Sequence, residues 1–210
     1  MGTRLIFVRH GESIHSIEGV VGGPQGCRGL TERGHDQAQH LAARLLDELP
    51  AGEPIAVYSS VLRRAVETAR PIGAAFGVEP IQDCGLCTWH SPPYADGLPT
   101  AQFQAEHGLD GGGVFRPFEE GNESWAELVV RTGKSIMDIV HRHRGHTVVL
   151  VGHSETVESS FHALADQPLY RAFDLKVAPA SITEWFTDED PTAMPPARWT
   201  LCRFNDAART

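Results

Sequence analysis

The chain has 210 residues, of which 41% are hydrophobic and 21% are charged, and its formal net charge at pH 7 is −9. This length and composition are typical of a globular protein with one buried core. The acidic balance argues against a partner such as nucleic acid or an anionic membrane surface, since both require a basic surface, but a local cluster of arginine and histidine can still bind phosphate.

The first strand is predicted over residues 3–9, because a short apolar run ended by turn residues is typical of a buried strand in a parallel sheet. Residues 11–30 are rich in glycine and are expected to form a loop over the end of that strand. The spacing of apolar residues predicts a helix from about 31 to 49, with Thr31 or an adjacent residue as its cap. Residues 55–58 are the second predicted strand.

A second helix is predicted over residues 61–76, with Ser59 or Ser60 as its N-terminal cap and Gly77 at its end. A short strand over residues 78–81 follows. We expect it at an edge of the sheet because it contains a proline. An exposed edge strand is a candidate for pairing two subunits, so a homodimer is one expectation.

Residues 83–122 are rich in glycine and proline and too long for a simple connection. We therefore expect an insertion that folds over the sheet edge as a lid or substrate loop, with a helical pattern only near residues 100–107. A further helix is predicted over residues 124–143. The fourth strand, over residues 147–151, leads into His153 and another helix.

The C-terminal part alternates apolar and polar residues over 181–187 and 198–204, which predicts an antiparallel pair of strands. Together these elements predict an α/β fold in a single domain spanning residues 1–210. The expected architecture is a three-layer α/β/α sandwich with a mostly parallel central sheet, a C-terminal antiparallel portion and the inserted lid region.

The number and spacing of the cysteines, and the lack of a visible targeting segment, indicate a cytoplasmic protein. No apolar run approaches the ~20 residues that cross a bilayer, and no secretory pattern is visible. Cys84 and Cys87 form a CxxC pair, but a zinc ribbon requires a second pair and a thioredoxin-like pair opens a helix. We interpret them as incidental thiols and expect a cytoplasmic protein with no metal site and no cofactor.

Four basic side chains are expected to meet at one edge of the sheet. His10 and His153 follow buried strands, and crossover helices make sequential strands parallel, so both histidines emerge at the same edge. Arg9 ends the first strand, and Arg64 lies near the start of the helix after the second. Two guanidiniums and two imidazoles suit a phosphate dianion, and neutral imidazole is a competent nucleophile.

Three motifs resemble, in their order and separation, those of the histidine phosphatase superfamily, also called phosphoglycerate-mutase-like. They are Arg-His-Gly-Glu from Arg9, Ser-Ser-x-x-x-Arg-Ala-x-x-Thr-Ala from Ser59, and the second strand-end histidine, His153. The resemblance runs from about residue 4 to about residue 162 and favours the phosphatase branch. It implies a metal-independent phosphatase acting on a small phosphorylated substrate.

The resemblance also implies a role for each residue of the expected site. His10 is the nucleophile that forms a phosphohistidine, with its other ring nitrogen held by a carbonyl. Arg9, Arg64 and His153 hold the phosphoryl oxygens. Further candidates for binding phosphate or substrate are Ser16, where many members have asparagine, the backbone N–H of Ser154 at a helix start, and Glu155, which either reaches the pocket mouth or simply favours the helix N-terminus.

One position departs from the family pattern. Thr88 stands where the family's general acid, a glutamate in a Leu-x-Glu setting, is expected, and threonine is no acid near neutral pH. General acid catalysis is worth ~10²–10⁴ in rate. His90 and Asp83 are the preferred replacements, and Asp96, Glu119 and Glu120 are also nearby in the sequence. Some family members that act on phosphohistidine lack such an acid altogether. Two alternatives stay open: a phosphate-binding or regulatory module with weak or no turnover, and mutase-type phosphotransfer.

Overall fold

The computed structural model describes residues 2–170 and 173–207, and within them a six-stranded sheet separates two layers of helices. The strands are β1 (Thr3–Arg9), β2 (Ile55–Ser59), β3 (Ile81–Gln82), β4 (Thr147–Gly152), β5 (Ile182–Thr187) and β6 (Thr200–Asp206). Their order across the sheet is β3-β2-β4-β1-β5-β6. The first four pair in parallel, and β5 and β6 each pair antiparallel, so the predicted sandwich with an antiparallel C-terminal portion is confirmed.

Helices in the same described residues account for most of the remaining regular structure. They are α1 (Ile14–Glu18), α2 (Glu32–Glu48), α3 (Arg63–Phe76), α4 (Thr100–His107), α5 (Trp125–Arg142) and α6 (Ser154–Ala165). Single 3₁₀ turns lie at Cys84–Leu86 and Pro93–Ala95. Thr31 caps α2 as predicted, since its side chain accepts a hydrogen bond from the Gly34 N–H, and Gly77 ends α3 in the left-handed conformation.

The alternation of side chains along β1 explains why helices cover both faces of the sheet. Leu5 and Phe7 point to the side of α5 and α6, where they join one apolar cluster. Ile6 and Val8 point to the side of α2 and α3 and join a second cluster. All four are fully buried, as expected for a central strand of a parallel sheet. The C-terminal end of β1 is therefore held rigidly.

Two expectations, for the loop after β1 and for the start of α3, are wrong in detail. The loop after β1 contains a short helix, α1, between the glycine-rich turns. The third helix begins at Arg63 rather than Val61, and its cap residue is Leu62, not Ser59 or Ser60. Ser60 instead continues the end of β2, because its N–H donates to the Val151 carbonyl of β4 at 2.9 Å. Its hydroxyl contacts the His153 ring and also accepts the Leu62 N–H at 3.3 Å.

The edge strand lies later in the chain than the pattern predicts. Val78 donates its N–H to the Gly73 carbonyl and so still belongs to the end of α3. Strand pairing begins only at Ile81, and β3 has two residues, both exposed. A homodimer through this edge stays a prediction. Such a short edge offers few backbone groups to a second subunit.

The segment 83–122 lies against the glycine-rich loop after β1. Val21 donates its N–H to Leu98 and accepts a hydrogen bond from Gly97, at 2.8 and 2.9 Å. The Asp96 carboxylate accepts two further N–H groups, from Gln25 and Gly26. The two segments therefore form one covering layer over the C-terminal edge of the sheet.

None of the described helices combines the length and the apolar composition needed to cross a bilayer.

Candidate active site

His10 and His153 meet at the C-terminal edge of the sheet, as the strand pattern predicts. Residue Arg9 of β1 is in register with Gly152 of β4, and His10 donates its N–H to the Gly152 carbonyl at 3.0 Å. The centroids of the His10 and His153 rings are 5.2 Å apart, with the rings edge to face. Two parallel strands thus deliver two buried imidazoles to one point.

One nitrogen of the His10 ring carries no proton. Its Nδ1 lies 2.7 Å from the Gly11 carbonyl oxygen, which can only accept a hydrogen bond, so Nδ1 carries the proton. Its Nε2 accepts a hydrogen bond from Arg64 Nε at 3.2 Å. Burial, and then the Arg64 charge, holds the pKa of His10 well below its ordinary value. The imidazole is therefore neutral near pH 7, as a nucleophile must be.

Arg64 is almost fully buried and ties the first loop to His10. It lies in the first turn of α3, and one guanidinium nitrogen donates to the Gly22 carbonyl at 2.7 Å. Arg9 donates to the Val177 carbonyl. Its Nε is buried and has no hydrogen-bond partner among the described residues. Burial lowers the pKa of Arg9, while the charge of Glu155 opposes that effect. Both guanidiniums are placed to receive an anion.

His153 is held by the serine that was predicted to be a helix cap. Ser60 Oγ lies 2.9 Å from His153 Nε2, and Thr156 Oγ1 accepts the His153 N–H at 2.9 Å. The other ring nitrogen, Nδ1, is buried without a partner among the described residues. Burial and the Arg64 charge hold the pKa of His153 well below its ordinary value. This nitrogen is therefore available for a hydrogen bond to a bound anion.

The first loop adds a histidine that the sequence analysis did not single out. The ring centroid of His15 lies 6.1 Å from that of His10. Its nitrogens form hydrogen bonds with Ser13 Oγ at 2.9 Å and Ser16 Oγ at 3.3 Å. Burial lowers the pKa of His15 to about 4. The hydroxyl of Ser16 is thus directed to His15. The sequence could have indicated His15, because it is a second histidine in the loop expected to lie over the end of β1.

A carboxyl group lies beside the position where the resemblance implies a glutamate. Thr88 Oγ1 donates a hydrogen bond to Glu155 Oε2 at 3.0 Å. The same loop is joined to the start of α6 by Thr156, whose hydroxyl donates to the Leu86 carbonyl at 3.0 Å. Ser154 is the first residue of α6, at the helix start where an anion binds favourably. Because Thr88 and Glu155 are far apart in sequence, spacing gave no signal of their contact.

The structure does not bring the two preferred candidate acids, Asp83 and His90, into this cluster. The Asp83 carboxylate accepts hydrogen bonds from the Gly85 N–H and from Ser135 Oγ, each at 2.7 Å, so it stabilises a turn. The His90 ring lies 3.5 Å from Cys84 Sγ. Burial, and then the charge of Arg131, lowers the pKa of His90. Neither side chain lines the cavity beside His15 and Arg64.

That cavity has a volume of about 470 Å³, within the usual range for small-molecule sites. His15 and Arg64 contribute to its lining, together with residues 20–23 of the first loop. The segment 83–122 supplies the rest of the wall. Its apolar and polar contributions include Trp89, Phe103, Phe118, Gln104 and Asn122. A phosphate held at His10 thus has room beside it for an organic group.

Comparison with known proteins gives consistent matches. The family description "Histidine phosphatase superfamily (branch 1)" matches residues 5–195. A metal-independent phosphoserine phosphatase of Arabidopsis thaliana is 30% identical over 171 residues, covering 76% of this chain and 67% of the relative. A 2,3-bisphosphoglycerate-dependent phosphoglycerate mutase of Thermoplasma acidophilum is 28% identical over 180 residues, covering 85% and 84%.

Solved structures agree with the sequence relatives. A mycobacterial glucosyl-3-phosphoglycerate phosphatase in complex with VO3 has a TM-score of 0.78 and 26% sequence identity. That alignment covers 97% of this chain and 99% of the other. The similarity therefore extends over nearly the whole length of both chains.

Proposed function

Since this chain belongs to the histidine phosphatase superfamily (branch 1), we propose that it hydrolyses a small phosphomonoester, without a metal ion, through a phosphohistidine on His10. The observation that carries this proposal is the state of the His10 ring. Its Nδ1 proton is fixed by the Gly11 carbonyl, its Nε2 is unprotonated, and the Arg64 guanidinium lies beside that nitrogen. This is the arrangement of an activated nucleophile next to a phosphate-binding cation.

The first step transfers the phosphoryl group to the enzyme. The electron pair on His10 Nε2 attacks phosphorus in line with the ester oxygen, forming the N–P bond while the P–O bond to the organic group breaks. Arg9, Arg64 and His153 stabilise the charge on the three equatorial oxygens. In the second step water attacks phosphorus, the N–P bond breaks, and His10 returns to its neutral form as phosphate leaves.

We assign the proton-donor role to Glu155. The Thr88 hydroxyl donates to Oε2 of Glu155, so Oε1 is the oxygen left to exchange a proton with the leaving group. After that transfer, the carboxylate can take a proton from the attacking water in the second step. Thr88 thus has the position of the family's glutamate but acts through its neighbour. In this proposal Glu155 moves a proton, and its direct binding of substrate stays a prediction.

The size and lining of the cavity support a substrate that carries an organic group on its phosphate. Its wall combines aromatic rings, such as Trp89 and Phe118, with amide groups such as Gln104 and Asn122. The relatives named above act on phosphoserine and on glucosyl-3-phosphoglycerate. Both are small organic phosphates, and a compound of that class is the proposed substrate.

We also place the protein in the cytoplasm. Its four cysteines all lie within the described residues, and all four are free thiols. Free thiols are the usual state in a reducing compartment.

Hydrolysis of para-nitrophenyl phosphate and of an alkyl phosphate, both in EDTA, tests the proposal. The wild type is expected to cleave both esters, and His10→Ala is expected to lose at least about 10⁴-fold in rate because no nucleophile remains. Acid-labile phosphate label should appear on the wild type only. His40→Ala is the matched control, because His40 is exposed on α2.

Two results would overturn this mechanism. If His10→Ala keeps most of the wild-type rate, the reaction does not pass through His10. If neither ester is cleaved but phosphate still raises the melting temperature, the protein is a phosphate-binding module, as one alternative above holds. Orthovanadate is expected to inhibit competitively, since a related phosphatase is solved with VO3.

A further inference from the structure

We propose that Cys84, Cys87 and His90 form a zinc-binding site next to the active-site cavity. One ligand atom from each residue, two thiol sulfurs and an imidazole nitrogen, lies within 4.8 Å of the other two. The distance between Cys84 Sγ and His90 Nε2 is 3.5 Å. A single ion can therefore contact all three without a change in the path of the backbone.

The chemistry of this ligand set selects zinc over the harder cations. Thiolate and imidazole ligands suit zinc, whereas magnesium and calcium prefer oxygen. Two residues separate Cys84 from Cys87, and two separate Cys87 from His90, which is within the usual spacing of zinc ligands. Three protein ligands leave the fourth tetrahedral position to water. Cys84 and His90 are exposed, so the ion has a path from solvent.

Arg131 of α5 holds the ligand-bearing turn in place without any metal. Its guanidinium donates to the carbonyls of Gly85, Cys87 and Thr88 at 3.0–3.1 Å. Glu123 in turn accepts from Arg131 at 2.6 Å. Several hydrogen bonds to the Arg131 side chain thus fix the turn. The positive charge of Arg131 also offsets the negative charge that two thiolates bring to the site.

His90 is positioned by the same group of residues. Its backbone N–H donates to Glu123 Oε1 at 2.8 Å, the oxygen that also accepts from Arg131. The third ligand is therefore tied to the turn that carries the other two. A ligand set fixed in advance loses less conformational entropy when it binds the ion.

The site lies next to the residues that shape the cavity. Thr88 and Trp89 lie between Cys87 and His90 in the chain, and both line the cavity. Neither cysteine nor His90 lines it. Zinc would therefore act as a clamp on the loop that presents Thr88, rather than as a participant in phosphoryl transfer. The sequence analysis interpreted the cysteines as incidental because it sought a second CxxC pair and did not count His90.

Zinc titration of the full, reduced and chelator-stripped protein against a chromophoric chelator tests this site. The wild type is expected to bind one zinc ion per chain, and Cys84→Ser and His90→Asn are each expected to weaken binding by about a hundredfold. Both residues are exposed, so these variants should fold. Cys202→Ser is the matched control, because Cys202 is an exposed thiol on β6 away from the cluster.

Thermal unfolding gives an independent readout. Free zinc at about 100 times the dissociation constant should raise the melting temperature of the wild type by about 5–10 °C. Cys84→Ser should show no such shift at the same zinc concentration. The proposal is wrong if wild type and Cys84→Ser bind zinc equally tightly, or if Cys202→Ser loses as much affinity as Cys84→Ser.

Discussion

In the proposed mechanism, proton delivery to the leaving group depends on one contact between distant side chains, Thr88 and Glu155. Glutamine in place of Glu155 keeps the size of the side chain and can still accept the Thr88 hydrogen bond, but it cannot give up a proton. Glu155→Gln should therefore slow hydrolysis of an alkyl phosphate by ~10²–10⁴. Hydrolysis of para-nitrophenyl phosphate should fall by less than about tenfold, because its leaving group needs little protonation.

Steady-state rates on the two esters measure this difference directly. Glu32→Gln is the control, since Glu32 is an exposed residue in the first turn of α2. Equal losses on both esters would show that Glu155 has some role other than proton donation. Thr88→Ser should keep most of the activity, because it retains the hydroxyl.

The buried pair of Ser60 and His153 carries a second expectation. Ser60→Ala removes the hydroxyl bonded to His153 Nε2 and should lower the free energy of unfolding by about 1–3 kcal/mol. The neighbouring Ser59 is equally buried, but its hydroxyl has no hydrogen-bond partner among the described residues. Ser59→Ala should be nearly neutral in denaturant unfolding. Similar losses in both variants would mean that the Ser60 contact stabilises little.

At this scale, sequence reasoning located the residues that follow strands. His10, His153 and Arg64 were predictable because strand ends and the first turn of a helix have fixed places in a parallel sheet. The pairing of Thr88 with Glu155 was not, since it joins residues 67 positions apart through side chains. His90 was predicted as an acid, yet local packing turns its ring toward Cys84.

Among the elements, α5 has a clear start. The Ser124 hydroxyl accepts the Glu127 N–H, and the Glu127 side chain accepts the Ser124 N–H, so the two form a capping box. Ser124→Ala should lower the free energy of unfolding by about 1 kcal/mol, measured with denaturant. The Ser124 hydroxyl also donates to the Glu127 carboxylate at 2.7 Å, so Ser124→Thr, which keeps the hydroxyl, should stay closer to wild type than Ser124→Ala. Equal losses in the two variants would mean that packing, rather than capping, makes Ser124 important.

Element boundaries were predictable where periodicity and caps agree, and not where tertiary contacts compete with them. Thr31 and Gly77 bound their helices as expected. The start of α3 shifted because Ser60 still pairs with β4, through its N–H and the Val151 carbonyl. The edge strand β3 shifted because Val78 continues the hydrogen bonding of α3. Both errors arise from partners that a local window of sequence does not contain.

Over the whole molecule, burial of neutral histidines makes stability depend on pH. The pKa values of His10 and His153 are lowered chiefly by burial, and that of His15 is lowered to about 4 for the same reason. Below pH ~6.5 the unfolded chain binds protons that the folded protein does not, so stability falls as the pH falls. Each such histidine contributes up to about 1.4 kcal/mol per pH unit.

Urea unfolding between pH 7 and pH 5 measures this dependence. His153→Gln should reduce its slope by up to about 1.4 kcal/mol per pH unit, because one buried neutral imidazole is gone. His40→Gln, at an exposed position on α2, should leave the slope unchanged. An unchanged slope in His153→Gln would show that this histidine is protonated in the folded protein.

The sheet edge and the covering layer are suited to recognise different parts of a substrate. In the proposed mechanism, the phosphate contacts groups on β1, on α3 and at the end of β4, while the organic part of the substrate contacts residues 20–23 and the segment 83–122. Substitutions in these surface segments can therefore change the substrate range during evolution, while the proposed catalytic residues at the sheet edge stay the same. Protein engineers have the same freedom. Exchanging residues 98–120 between relatives should transfer preference for the organic group while the rate on a small activated ester stays the same.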